Sequence, residues 1–366
     1  MRRLLLPILM ALAINGAAQT NPKFVYTEAS ELTLTGKLMD TPNPYHRVDT
    51  TRFKGFTKSE NNQVRNSAGI AVAFRTNSRS ISVLTKYGDV GWPVNTSGFS
   101  ARGYDLYILD RSLNSSKGQW IWAGAGIPGD LSKPFNIISD MDGSFKECLM
   151  YLPILSEEYS VKIGVEEGAV LEPLENPFSH RIGIFGSSFT HGISTSRAGM
   201  AYPAVFSRET GLQLLSLGCS GNCKMQDYFA DVLAAADVDA YIFDAFSNPS
   251  IEQIKERLFP FIEKIQAAHP GKPLIFQRTI YREWRNFNKK IDQEQAAKIE
   301  VADSLMKIAC KKYKDVYYIY PSASATDHET TQDGTHPSDR GYQLWARSIE
   351  KPVKKILRKY GIVAGR

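Results

Sequence analysis

The sequence predicts two unlike halves: an all-β sandwich of jelly-roll type, followed by an α/β half whose mostly parallel sheet is covered on both faces. Three observations carry this. Up to about residue 175, short segments alternate polar and apolar residues between turn formers. After Pro177, short apolar runs alternate with stretches of helical period. Two prolines, Pro173 and Pro177, mark the change, so Leu171 to Ser179 is the expected linker. At 366 residues the chain also exceeds the size of one ordinary domain.

The elements follow in order. Arg2 and Arg3 precede an apolar run from Leu4 to Ile14, and Gly16, Ala17 and Ala18 come next. A charged start, an apolar stretch too short to span a bilayer and a small-residue cleavage site predict a signal peptide over 1–18. The mature chain is then exported, to the periplasm or the extracellular space. No cysteine beside the cleavage site offers a lipid anchor, and no later stretch approaches the roughly 18 apolar residues of a membrane span.

Residues 20–175 form the β half, with strands expected at Gly69–Thr76, Ser80–Thr85, Tyr104–Leu109, Gln119–Trp122 and Val161–Val165, each with one buried face. Residues 178–366 form the α/β half. Its strands are expected at Arg181–Phe185, Leu212–Leu217, Ala240–Phe246, Pro273–Gln277 and Val316–Tyr320. Helices are expected at Asp227–Ala236, Ser250–Ala268 and Gln293–Lys312.

Composition narrows the function classes. The net charge of +6 falls to +4 without Arg2 and Arg3, and no basic cluster interleaves with aromatics, so a nucleic-acid surface is not expected. Four cysteines are too few for a disulfide framework in a chain of this length. Cys219 and Cys223 are close enough in sequence to bridge in an oxidising compartment, or to stay free. No short-spaced set of Cys and His suggests a metal site, and no cofactor is implied.

Sites in open α/β sheets form where strands end and helices begin. The first such place is Gly186-Ser187-Ser188-Phe189-Thr190-His191-Gly192, directly after the strand RIGIF. Glycines on either side of a serine pair allow a tight turn that exposes a hydroxyl. The last such place is Asp333-Gly334-Thr335-His336-Pro337. A serine nucleophile needs a general base, and the base needs a carboxylate to fix its tautomer; a DxxH turn can aim both into one site. His328, beside Asp327, is the nearest competitor for the base.

These blocks resemble the SGNH, or GDSL-like, hydrolase superfamily: G-x-S-x-T-x-G for the nucleophile and DGTHP for the base. Leu217-Gly218-Cys219-Ser220-Gly221-Asn222 resembles its second block and Phe243-Asp244-Ala245-Phe246-Ser247-Asn248 its third. Ser187 stands where the name-giving block usually has Asp, and Pro249 follows Asn248 where many members have Asn-Asp. Ser196-Arg197-Ala198-Gly199-Met200-Ala201-Tyr202-Pro203-Ala204 is similar to the SRPGMAWPA stretch of a bacterial subfamily, whose N-terminal β-domain has a GxDLY signature matched by Gly103 to Tyr107. The resemblance implies a three-layer, flavodoxin-like α/β/α hydrolase domain behind the sandwich. It also implies Ser188, His336 and Asp333 as catalytic groups, and the Ser188 and Gly221 N–H groups with the Asn248 side chain as the oxyanion hole.

The implied activity is ester hydrolysis by acyl-enzyme chemistry on an acylated small molecule or polysaccharide, with O-acetyl carbohydrate esters the expected substrates. Rivals are a lipid, lysophospholipid or thioester substrate, and a carbohydrate-binding protein with an inactive hydrolase domain. His191 could touch a substrate or simply pack. Arg197 could place a substrate or salt-bridge a helix start. Trp92, Tyr104, Trp120 and Trp122 could form a sugar-stacking platform or core.

Overall fold

A computed structural model describes residues 22–114 and 117–363; the expected signal peptide lies outside the described residues. The N-terminal half holds β1 (Phe24–Glu28), β2 (Thr33–Thr35), β3 (Ala71–Thr76), β4 (Ile81–Val90), β5 (Tyr104–Asp110), β6 (Gln119–Gly126), β7 (Phe135–Ile138), β8 (Lys146–Tyr151), β9 (Ser156–Glu166) and β10 (Leu171–Pro173). Two short helices interrupt them, α1 (Lys58–Arg65) and α2 (Gly98–Arg102). The strands form two antiparallel sheets, ordered β1-β9-β4-β7 and β10-β3-β8-β5-β6, with β2 paired to β3. Val72, Phe74, Leu106 and Met150 from one sheet meet Ile81, Val83, Val161 and Ile163 from the other in a common core, which makes a sandwich.

The α/β half holds β11 (Ser179–Gly186), α3 (Ser188–His191), α4 (Tyr202–Thr210), β12 (Leu212–Gly218), α5 (Asp227–Ala234), β13 (Ala240–Asp244), α6 (Ile251–Ala268), β14 (Leu274–Gln277), α7 (Lys289–Lys312), β15 (Val316–Ile319) and α8 (Asp339–Arg358). All five strands run parallel in the order β12-β11-β13-β14-β15. Alternation along β11 sorts its side chains: Phe185 joins one apolar layer with Phe229, Leu258 and Met306 from α5, α6 and α7, while Ile182 and Ile184 join Val205, Trp345 and Ile349 from α4 and α8. The sheet is therefore covered on both faces, as the apolar runs predict.

Two expectations are corrected. The linker is structured at both ends: Leu171–Pro173 adds β10 to the edge of β3, and Ser179 already opens β11. The second sandwich sheet is also buried on both faces along β3, β5 and β8. Ala71, Ala73, Tyr107, Leu149 and Tyr151 pack outward onto Ala198 and Ala204 of the α/β half. The small alanines on that outer face let the two halves approach closely.

Candidate active site

The parallel register aligns three strand ends, with Gly186 beside Gly218 on one side and Asp244 on the other. The turn into α3 is packed so tightly against this row that side chains are excluded. A Cβ on Gly186 would lie 2.0 Å from the Thr190 hydroxyl oxygen, and one on Gly218 would lie 2.2 Å from the His191 backbone nitrogen. Ser188 opens α3, so its N–H precedes the first intrahelical bond.

Ser188 Oγ lies 2.9 Å from His336 Nε2, and His336 Nδ1 lies 2.8 Å from Asp333 Oδ2. Asp333 Oδ1 accepts the Thr335 and His336 N–H groups at 3.0 and 2.7 Å. Partial burial works to raise the Asp333 carboxyl, but the His336 N–H, the Asn95 amide and the His336 ring outweigh it and hold it down to about 2. Asp333 is thus a carboxylate at neutral pH, and a carboxylate facing Nδ1 selects the tautomer that leaves Nε2 open toward the serine. Phe189 packs edge-on against the His336 ring, with centroids 5.6 Å apart. His328 pairs with Glu283 at 2.7 Å instead.

Gly221 sits in a turn at φ +72°, a conformation suited to glycine. Asn248 Oδ1 accepts the Cys223 N–H at 3.3 Å, which turns the Nδ2 end of its amide the other way. The third block therefore touches the residue that directly follows the second.

Ser187 donates its N–H and its hydroxyl to Asp244 Oδ2 at 3.0 and 2.6 Å, and Thr190 adds a bond at 3.2 Å. Where the usual block has Asp after its first glycine, here the carboxylate comes from the neighbouring strand.

The packing decides several alternatives that the sequence leaves open. His191 does not face a substrate. It is buried, its Nε2 donates to the Ile154 carbonyl at 2.7 Å, and its Nδ1 accepts the Ser220 N–H at 3.4 Å. Burial, reinforced by the nearby Arg47 guanidinium, holds it down to about 3, so it is neutral and braces the loop that carries Gly221. Arg197 takes the structural reading: at the start of the short helical turn Ala198–Met200 it pairs with Asp105 of β5 at 3.1 Å and donates to Tyr107 at 2.6 Å, tying the two halves together. Cys219 and Cys223 are both free and buried. Of the four platform candidates, Tyr104 lies in the sandwich core, bonded to Thr85 and Glu158, and Trp120 packs at the seam between the halves, whereas Trp92 and Trp122 are exposed.

Sequence reasoning missed Asn95. This residue of the loop between β4 and α2 donates to Asp333 Oδ2 at 2.8 Å and stands 3.4 Å from His336 Nδ1. Nothing in its neighbourhood, Trp92-Pro93-Val94-Asn95-Thr96, signals a site. Among the described residues, no three His, Cys, Asp or Glu side chains gather as a metal site would need, and no helix is long and apolar enough to cross a membrane.

Comparison with known proteins agrees with the architecture. The GDSL-like lipase/acylhydrolase family matches residues 179–354, and the family described as the N-terminus of SGNH-hydrolase-type esterases, named for GxDLY, matches residues 23–171. No curated protein matches the chain. Among solved structures, one from Bacteroides ovatus described as a GDSL-like lipase is 37% identical, covering 92% of this chain and 98% of its own, with a TM-score of 0.87. The salicylyl-acyltransferase SsfX3 of a tetracycline biosynthetic pathway is 17% identical over 93% of this chain and 98% of its own, at a TM-score of 0.68. A family two carbohydrate esterase from Cellvibrio japonicus is 11% identical over 93% and 100%, at 0.57. The latter two share the fold. The chain belongs to the GDSL-like lipase/acylhydrolase family and is an ester-hydrolysing enzyme.

Proposed function

We propose that this chain is an exported serine esterase that removes short acyl groups, acetyl above all, from carbohydrates. One observation carries the chemistry: the unbroken line of contacts from Ser188 Oγ through the His336 ring to Asp333. The Ser188 oxygen attacks the ester carbonyl while its proton passes to His336 Nε2, and Asp333 steadies the imidazolium. The tetrahedral oxyanion is met by the N–H groups of Ser188 and Gly221 and by the Asn248 amide, each donor contributing on the order of 3 kcal/mol in the transition state. His336 then returns the proton to the leaving alcohol. A water, deprotonated by the same ring, releases the acid and restores Ser188.

The substrate class is argued from the fold relatives that are carbohydrate esterases and from the absence of an apolar lid segment in the sequence beside the four blocks. Export is argued from the leader, Arg2 and Arg3 followed by Leu4 to Ile14.

The test is a panel of acetylated oligosaccharides and synthetic esters of increasing chain length, offered to the wild type and to Ser188→Ala. Acetyl esters should be preferred, and the variant should lose at least about a thousandfold in kcat while keeping its fold. Preference for long acyl chains would replace the carbohydrate reading with a lipid one. Undiminished turnover by Ser188→Ala would remove the nucleophile.

A further inference from the structure

We propose that Asn95, a residue of the β-sandwich, is a positioning residue of the reaction: its amide holds Asp333, and through it the His336 ring, in the alignment that Ser188 requires. The proposal rests on the esterase reading above. A carboxylate offers about four lone-pair sites. Oδ1 of Asp333 uses its two on the N–H groups of Thr335 and His336, at 3.0 and 2.7 Å, and Oδ2 takes His336 Nδ1 at 2.8 Å. Those three donors belong to the DxxH turn itself. The fourth, Asn95 Nδ2 at 2.8 Å, comes from 238 residues away. With all four in place the carboxylate cannot rotate, and the ring it orients cannot rotate either. Without Asn95, Oδ2 has an open site on a side chain that is 30% exposed, and water competes for it.

Asn95 is not needed merely to dock its loop. Thr96 Oγ1 accepts the Ser194 N–H at 3.0 Å, and the Ser97 hydroxyl donates to the Ser196 carbonyl. Ser196 in turn bonds Asp339 at the start of α8, at 2.8 Å. The loop is thus fastened by its own neighbours to the segment that follows α3, which leaves the Asn95 contact to Asp333 without a docking role to fill. The other charged or titratable groups that sense Asp333 are Arg282 and Tyr342, with Asp244 and Asp339 facing Tyr342 from neighbouring elements. A change at Asn95 leaves all of them in place.

The amide hydrogens turn positive partial charge toward Oδ2 and Nδ1, so removing them favours the protonated form of the Asp333–His336 pair. The experiment uses the full chain and a fluorophosphonate probe. The Ser188 oxygen bonds phosphorus as the P–F bond breaks, fluoride leaves, and the hydroxyl proton goes to His336; intact mass reports the labelled serine. Asn95→Ala should lower the maximal labelling rate about tenfold, leave the half-saturating probe concentration unchanged, and move the acid limb of the pH profile to higher pH. Asn95→Asp keeps the shape, removes the donor and adds a charge, so it should move that limb further in the same direction. Thr96→Val, which cuts only a docking bond, should keep the wild-type limb. A wild-type rate in Asn95→Ala, or a slower rate with an unmoved limb in both Asn95 variants, overturns the positioning role. If the probe fails to label Ser188 in the wild type, the esterase reading falls and the role of Asn95 falls with it.

Discussion

Next to Ser188, Asp244 is buried completely, and burial pushes its carboxyl up to about 6 although Ser187, Thr190 and Ser247 all donate to it. In an unfolded chain the same group titrates near about 3.9. Between those two values the folded state holds a proton that the unfolded chain has released, so this group makes stability fall as pH rises from about 4 to 6, by at most about 1.4 kcal/mol per pH unit. Asp244→Asn keeps an oxygen for the Ser187 donors and cannot ionise. Urea midpoints should therefore show the variant gaining on the wild type between pH 4 and pH 7; a gap that stays constant with pH rejects the assignment. The Ser187–Asp244 pair was half legible in the sequence. The missing aspartate at 187 could be seen, but its replacement from the next strand needs the parallel register of β11 and β13. His191 stayed open in the sequence for a related reason: a histidine in such a turn can face a substrate or pack, and only the contacts with Ile154 and Ser220 make it a brace.

The strand-to-helix turn at α3 depends on what two of the three aligned strand ends, Gly186 and Gly218, omit. A Cβ on Gly218 would meet backbone, the His191 nitrogen, at 2.2 Å, and no rotamer change can relieve that contact. Overpacking of this kind costs about 1–3 kcal/mol. Gly218→Ala should therefore melt several degrees below the wild type, and the displaced turn should lower turnover by more than the loss of folded protein explains. Gly168→Ala is the control. Gly168 sits at φ +88° with open space around its Cβ position and lies outside the four blocks, so it should show strain with unchanged kcat. Equal losses of turnover in both variants would mean that the Gly218 contact has no bearing on the site. The strands and the long helices could be read from periodicity because each buries a face of its own. The double burial of β3, β5 and β8 could not, because alternation records that a residue is apolar and not which layer covers it. Ala71 and Ala73 are small on the side where another half of the molecule arrives.

At the scale of the whole molecule, the sandwich completes the site as well as preceding it in sequence. Gln63 of α1 donates to the Ser220 carbonyl at 2.9 Å, beside Gly221, while Asn95 reaches Asp333. Arg47 is buried with no carboxylate partner among the described residues, donating to the carbonyls of Asn66, Gln63, Ser216 and Gly218. Burial lowers it to about 10, so it remains charged at neutral pH and its donors stay engaged. Two of those carbonyls belong to β12 and two to the sandwich side, so one side chain clamps the halves together beside the row of strand ends. Each half still has an apolar core of its own, and their coupling depends on this seam. A calorimetric melt of the wild type should show a single transition. Arg47→Met fills similar space with no donor and strands the buried carbonyls at about 1–3 kcal/mol each where water cannot enter. It should lower the melting temperature and split the transition in two, with esterase activity lost in the first step. Two transitions already present in the wild type would show that the seam does not couple the halves; a single transition kept by Arg47→Met would show that the alanine-lined contact holds them together without the arginine.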